Sequence, residues 1–538
     1  MNQIKPMLLT TLKSYDRSQF VKDVTAGIIV AIIALPLSIA LALASGVGPQ
    51  AGIFTAIVAG FVISAFGGSS VQIAGPTAAF ATIVAGIVAK DGLDGLVIST
   101  ILAGIFLILM GLCHFGSLIK FIPYTITTGF TSGIAVTIVI GQLKDFFGVT
   151  YPNGLKPIET MEKLNAFALG FSSFHVDALI VGGVSLAILI ISPYIFKRIP
   201  GSLIAVVIGI LMVKFLPLHV STIGNLYTIT NDLPSFHIPA VKFSMVKSAI
   251  PNAFTIAVLA AIESLLSCVV ADGMINGKHR SDTELVAQGL GNIASALFGG
   301  IPATGAIART AANIKNGGRT PVAGMVHSIT LVIVLVVLMP FAGMIPMPTI
   351  AAILFVVAYN MCQWRTFVHM LKTAPKSDII VLIVTFILTV VFDLVVAIEI
   401  GMVIACLLFI KRMSEETRVD SWVYVDDDTP EIDDHLARLP LAIRVYEITG
   451  PLFFGASDAI EHIVVKDFTK CLILRMRSVP ALDSTALNAL KGITIVFSHV
   501  NEQPMKVMKK AGFIELVGKE HFCPNIAAAL KHAEDCID

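Results

Sequence analysis

Gln72-Ile73-Ala74-Gly75-Pro76-Thr77-Ala78-Ala79-Phe80 and Gly299-Gly300-Ile301-Pro302-Ala303-Thr304-Gly305-Ala306-Ile307-Ala308-Arg309-Thr310 decide how this chain is read. Each interrupts an apolar region with Gly, Pro and Thr. Pro76 suits the first turn of a helix, and Thr77 or Thr304 can cap or line its start. Each stretch therefore predicts an extended segment that leads into a half-helix. At membrane depth such backbone is tolerated only around a cavity. Two helix N-termini facing one site offer unpaired N–H groups and positive dipole ends, and the matching ligand is an anion. One interruption alone would be an ordinary kink. Two in corresponding positions point to a binding site.

The surroundings support that placement. Of the 538 residues 56% are hydrophobic and only 14% are charged, and the mean hydropathy is +0.86. Most of the chain is expected in the lipid bilayer. With 37 Lys and Arg against 36 Asp and Glu, a dedicated nucleic-acid binder is not expected. The seven Cys are scattered, without a CxxC pair or His partners at ligand spacing, so neither a disulfide frame nor a metal site is predicted. The polar, basic start up to Asp23 does not resemble a cleavable signal peptide.

Residues 24–411 divide into about fourteen apolar segments, with cores at 24–45, 50–66, 76–89, 93–113, 125–142, 177–196, 202–217, 250–271, 284–298, 304–314, 321–340, 347–361, 378–392 and 394–410. With the N-terminal segment 1–23 in the cytoplasm, alternation puts 16 Lys and Arg inside and 7 outside, with Arg309 within a segment. That asymmetry supports the count and places both termini in the cytoplasm. The interrupted segments are the third of seven in each half. An inverted repeat gives this arrangement, because an odd number of crossings flips the second copy. The fold class expected is a polytopic α-helical membrane protein with a 7+7 inverted repeat. Residues 412–440 read as an acidic linker. Residues 441–538 read as a small α/β domain, with strands at 441–449, 471–476 and 493–497 and helices at 457–464, 505–511 and 525–534.

Ionisable residues within segments narrow the chemistry, since each costs about 2.5–3.5 kcal/mol on insertion scales unless it meets a cavity or a partner. Glu263 has Ser267 one turn on, a pair that could take a proton or coordinate a small cation. Arg309 could add positive charge beside the anion. Alternatively, Glu263 and Arg309 neutralise each other as a structural pair. Asp393 and Glu399 are expected near the membrane boundary or in a hairpin turn. His114, His279 and His327 fall at or near loop ends and carry no expected chemistry.

These motifs, with Ala34-Leu35-Pro36-Leu37-Ser38-Ile39-Ala40, Ser45-Gly46-Val47-Gly48-Pro49 and Arg319-Thr320-Pro321-Val322-Ala323-Gly324, resemble the sulfate permease (SulP) family of anion transporters over essentially the whole chain. The resemblance implies core and gate subdomains, a usual homodimer and a C-terminal cytoplasmic STAS domain; no nucleophile–base pair or metal cluster emerges in the soluble part, so no catalysis is expected. It places a small inorganic or organic anion (sulfate, bicarbonate, chloride or a dicarboxylate) at Thr77, Ala78, Ala303, Thr304, Gly305 and Ala308, with Arg309 nearby. It puts cation coupling on Glu263 and Ser267, with H+ as the coupling ion and Na+ the alternative, and implies no cofactor. The expected setting is the cell membrane, the inner membrane of a bacterium. The leading expectation is secondary active symport of the anion by an elevator-like movement of core against gate; a sodium-coupled bicarbonate-type symporter, an anion exchanger or channel, a nucleobase permease and a membrane-bound signalling module are the rival readings.

Arg475 to Leu487 resembles the STAS signature, in which Ser484 or Thr485 would be phosphorylated or serve a cytoplasmic regulator. This chain has Ala486 where the family has Gly, and a helix cap is the plainer role for those hydroxyls. About six residues separate Ala486 from the next strand, fewer than a helix of typical length, so either most of one helix is lost from this domain or part of the natural sequence is absent.

Overall fold

The computed structural model describes residues 4–117, 123–152, 157–195, 200–239, 243–392, 394–421, 442–456, 469–490 and 495–536. Contacts divide the chain into two compact units, Met1–Met402 and Val403–Asp538.

Among the described residues of the first unit the longer helices are α1 (Arg17–Ala44), α2 (Pro49–Phe66), α3 (Ala78–Leu112), α4 (Tyr124–Phe147), α5 (Thr160–Gly170), α6 (Val176–Ile195), α7 (Gly201–Phe215), α8 (Phe243–Ile275), α9 (Ser281–Leu297), α10 (Ile307–Lys315), α11 (Val322–Ala342), α12 (Met347–Cys362), α13 (Trp364–Thr373), α14 (Lys376–Val391) and α15 (Leu394–Glu415), the last running into the second unit. Each apolar segment expected from the sequence falls on one of these helices. Two of them share α3, which breaks at Gly92 (φ 72°, ψ −172°), a conformation that glycine adopts without Cβ strain. α5 and α13 lie outside the expected set; their polar residues gave no crossing-length apolar run. Eight helices among the described residues are long and apolar enough to cross a membrane. Their exposed large side chains, such as Ile190, Ile333, Val337 and Leu109, suit contact with lipid.

Two sets of helices emerge from the packing. α3 lies along α8 and α9, and α11 along α1 and α2. α4 lies against α12 and α14, and α6 against α7 and α12. This is the grouping expected of core and gate. Small residues set the closeness within the first set: a Cβ on Gly289 would sit 2.4 Å from the Gly104 carbonyl oxygen, and one on Gly104 2.6 Å from that of Gly289. The halves meet at a two-stranded antiparallel sheet, β1 (Ala74–Gly75) and β2 (Thr304–Gly305), with Ala74 opposite Gly305 and Gly75 opposite Thr304.

The second unit carries a five-stranded sheet of β3 (Arg418–Ser421), β4 (Ile443–Thr449), β5 (Cys471–Ser478), β6 (Ile495–Ser498) and β7 (Phe522–Cys523), in that order. Only the β3–β4 pair is antiparallel. Its described helices include α16 (Ser484–Ala489), α17 (Glu502–Lys510) and α18 (Ile526–Asp535). β3 and the end of α15 lie within the stretch read as linker, so ordered structure extends into it. The acidic residues 426–434, the helix expected at 457–464 and Asp393 lie outside the described residues. α16 is short, as its spacing requires. Its cap is Asp483, whose carboxylate accepts from the Ala486 N–H at 2.9 Å, which corrects the expectation that Ser484 or Thr485 caps it; both are exposed in the first turn.

Gly289→Val is expected to force α3 and α9 apart at a cost of about 1–3 kcal/mol. Gly183→Ala, at a helix position with open space around its Cβ, should be near neutral. Thermal unfolding of the two variants in detergent tests the difference.

Candidate anion site

Backbone that leaves helical geometry in an apolar interior must find partners for its N–H and C=O groups, and buried side chains supply them here. Before α10, the Asn292 carboxamide donates to the Ala303 carbonyl at 2.8 Å and accepts from the Ala303 N–H at 2.9 Å. The Ile301 N–H donates to Thr55 Oγ1 at 2.7 Å and its carbonyl accepts from Ser295 Oγ at 2.7 Å. Before α3, the Val71 carbonyl accepts from Asn313 Nδ2 at 2.8 Å and the Ile73 N–H donates to Thr310 Oγ1 at 3.1 Å. The Ala306 N–H reaches the Ile73 carbonyl at 2.9 Å, which extends the strand pairing by one bond.

The fully buried Glu284 anchors the same region. It accepts from the N–H of Gly68 and Ser69, from Gln72 Nε2 and from Gln288 Nε2, at 2.8, 3.2, 2.8 and 2.8 Å. Gln72 also donates to Ser264 Oγ at 2.8 Å. Sequence reasoning missed Glu284, Gln72, Asn313 and Thr55. They are single polar residues in helices or loops, and only the fold brings them to the interrupted backbone.

Thr77 is the residue before α3, but its hydroxyl makes no capping bond; it donates to Glu263 Oε2 at 2.8 Å. Thr304 lies in β2, with Ala306 at the N-cap of α10, and its hydroxyl donates to the Ala260 carbonyl at 3.1 Å. Neither threonine caps a helix, which corrects that part of the sequence expectation. Ser267 is buried and its Oγ reaches Thr310 Oγ1 at 3.5 Å, so its hydroxyl serves the β1 entrance rather than the Glu263 carboxylate. Ala303 is buried just before β2 and Gly305 is buried within it, Ala78 is buried at the start of α3, and Ala308 is exposed in the first turn of α10. The amides that open α3 and α10 have no carbonyl of their own helix one turn back, although in α3 the third, Phe80, reaches the Thr77 carbonyl at 3.3 Å.

Arg309 is 1% exposed. Its Nη2 donates to Ser38 Oγ at 3.3 Å and to the Pro76 carbonyl at 3.1 Å, while Nε and Nη1 have no hydrogen-bond partner. No ion pair joins it to Glu263 among the described residues, so the mutual-neutralisation alternative is not what the structure holds. His327, expected near a loop end, instead lies within α11, fully buried and with both ring nitrogens unpartnered. His114 and His279 pair with Asp282 and Asp272, at 2.8 and 2.7 Å.

Two halves of a membrane-embedded helical bundle, each sending a half-helix to one polar centre, define a multi-pass membrane transporter. Comparison with known proteins agrees. The sulfate permease family pattern matches residues 20–385 and the STAS domain pattern residues 436–529. Over 529 residues, 95% of this chain and 97% of the other, the sequence is 40% identical to "Putative sulfate transporter YvdB" of Bacillus subtilis (strain 168). It is 33% identical over 491 residues, 87% and 85% of the two chains, to the bicarbonate transporter BicA of Picosynechococcus sp. (strain ATCC 27264 / PCC 7002 / PR-6). The overall structure of SLC26A9 superposes with a TM-score of 0.86 at 19% identity, covering 99% of this chain and 93% of that one, a likeness of fold. The chain belongs to the sulfate permease family and is a membrane anion transporter with a C-terminal STAS domain, not an enzyme.

A Cβ on Gly75 would lie 2.3 Å from Arg309 Nη1. Because that atom is the end of a flexible side chain, Gly75→Ala is expected to displace the guanidinium while the protein still folds. Anion uptake should then show a KM raised several-fold with little change in the thermal unfolding midpoint.

Proposed function

We propose that this protein is a secondary active symporter of a small inorganic or organic anion of the sulfate, bicarbonate or dicarboxylate class, coupled to H+, with Na+ the alternative. The anion binds between the N-termini of α3 and α10. The observation that carries this reading is the buried Arg309 guanidinium, which has two unpartnered nitrogens and no carboxylate partner among the described residues. A desolvated charge of this kind is costly alone and is compensated by an anion within hydrogen-bond reach. The dipoles of two helix N-termini favour the same ligand. The relatives named for sulfate and bicarbonate suggest an oxyanion.

Glu263 gives coupling a physical basis. Its carboxylate accepts from Thr77 at the start of α3, so in ionised form it opposes a second negative charge at that end. A proton or sodium ion on Glu263 removes the opposition, so anion and cation bind together. Alternating access follows from an elevator movement of the set around β1 and β2 against the set around α4 and α12. The protein works as a homodimer in the inner membrane of a bacterium, with both termini cytoplasmic. Exposed Ser484 and Thr485 are open to a cytoplasmic regulator or kinase.

Uptake of labelled sulfate and bicarbonate into proteoliposomes, with and without proton and sodium gradients, tests the proposal. A charge-assisted hydrogen bond contributes about 1.5–3 kcal/mol, so Arg309→Ala should weaken apparent affinity by about 10- to 150-fold without unfolding the protein. Unchanged kinetics in a folded variant would remove Arg309 from the site. Glu263→Gln keeps shape and hydrogen bonding but cannot change charge; it should abolish gradient-driven accumulation and leave anion exchange. Uphill accumulation by this variant under the same gradient would make Glu263 structural.

A further inference from the structure

In the C-terminal unit, His521, His532 and Cys536 converge in a way that the transport reading leaves unexplained. His532 and Cys536 stand four residues apart at the end of α18, on one face of the helix. His521 comes from the turn that precedes β7. His521 Nδ1 and His532 Nε2 are 3.2 Å apart, and Cys536 Sγ is 3.8 Å from the same Nε2. All three atoms lie within 4.8 Å of one another. The sequence reading, which finds no His partner at ligand spacing for the cysteines, passes over the His532–Cys536 spacing; His521 joins the pair only through the fold.

The two separations from His532 Nε2, 3.2 Å to nitrogen and 3.8 Å to sulfur, are close to the edges of a coordination sphere. Metal–nitrogen bonds of about 2.0–2.1 Å and metal–sulfur bonds of about 2.3 Å at tetrahedral angles give edges of about 3.3 Å between nitrogens and about 3.6 Å between nitrogen and sulfur. Hydrogen bonding accounts for the cluster less well. His532 Nε2 offers either one N–H or one lone pair, yet both His521 Nδ1 and Cys536 Sγ face it. One cation at the centre of the three atoms uses all of them.

We propose that His521, His532 and Cys536 bind a divalent transition-metal ion of the zinc class, with water or a further ligand in the fourth position. Two imidazoles and a thiolate are borderline to soft donors, which favour such ions over Mg2+ or Ca2+. Cys536 is exposed and the two histidines are half-buried, so the ion can enter from solvent. Binding fastens α18 to the edge of the sheet, where β7 is only two residues long, and thereby stabilises the C-terminal unit.

The test is titration of the full-length, detergent-solubilised, metal-free protein with Co2+, followed by displacement with Zn2+. Expected are one tightly bound Co2+ per chain, visible bands of tetrahedral geometry, a thiolate-to-cobalt charge-transfer band and a raised unfolding midpoint. The charge-transfer band should vanish in Cys536→Ser, whose exposed position leaves folding intact. Affinity should fall at least about tenfold in His521→Gln and in His532→Gln. Wild-type protein that binds no Co2+ would overturn the proposal. So would a charge-transfer band that survives in Cys536→Ser, or binding unchanged in the variant that combines all three substitutions.

Discussion

Everything in the membrane unit depends on one short pairing, Ala74–Gly75 against Thr304–Gly305. A chain that stops being helical inside an apolar bundle exposes N–H and C=O groups that lipid cannot satisfy. Pairing the two interruptions with each other, across more than two hundred residues of sequence, answers part of that demand. Asn292, Asn313, Thr55, Ser295 and Thr310 answer the rest from neighbouring helices. The result fixes the starts of α3 and α10 side by side. Each interruption thus draws partners from the other half, Thr55 for Ile301 and Asn313 and Thr310 for the stretch before α3, as well as from its own neighbours.

The two charged residues near this pairing are handled differently, and the difference has functional content. Glu284 is fully buried but surrounded by donors, and such a carboxylate serves as structure. Arg309 is equally buried yet retains unpartnered nitrogens, and Glu263 is only half-buried, with Thr77 as its hydrogen-bond donor. Groups left incompletely satisfied inside a membrane protein are where ligands bind and charges move. His327, buried and unpartnered within α11, belongs to the same category.

Much of this was legible in the sequence because lipid simplifies the code. Length and hydropathy locate helices, and Gly-Pro-Thr interruptions locate half-helices. The Gly92 break was visible as two apolar runs on either side of Lys90 and Asp91. Less legible were contacts that rely on single polar residues. Nothing local marks Gln72 or Glu284 as partners, and nothing local shows that the Thr304 hydroxyl turns to Ala260 instead of capping α10. α5 and α13 were invisible because hydropathy reports crossings, and neither is apolar enough to read as one. In the C-terminal unit, β3 and β7 are too short for periodicity to reveal. The His521–His532–Cys536 cluster joins two elements that only the sheet order brings together.

The claim that an anion rests between α3 and α10 beside Arg309 is tested most directly by a structure of the protein with selenate, a sulfate analogue whose selenium can be located unambiguously. The account predicts one selenium position per chain, within hydrogen-bond reach of the first-turn amides of α3 and α10 and with Arg309 nearby. Selenate bound elsewhere, or an Arg309 guanidinium paired with a carboxylate in the loaded protein, would contradict it.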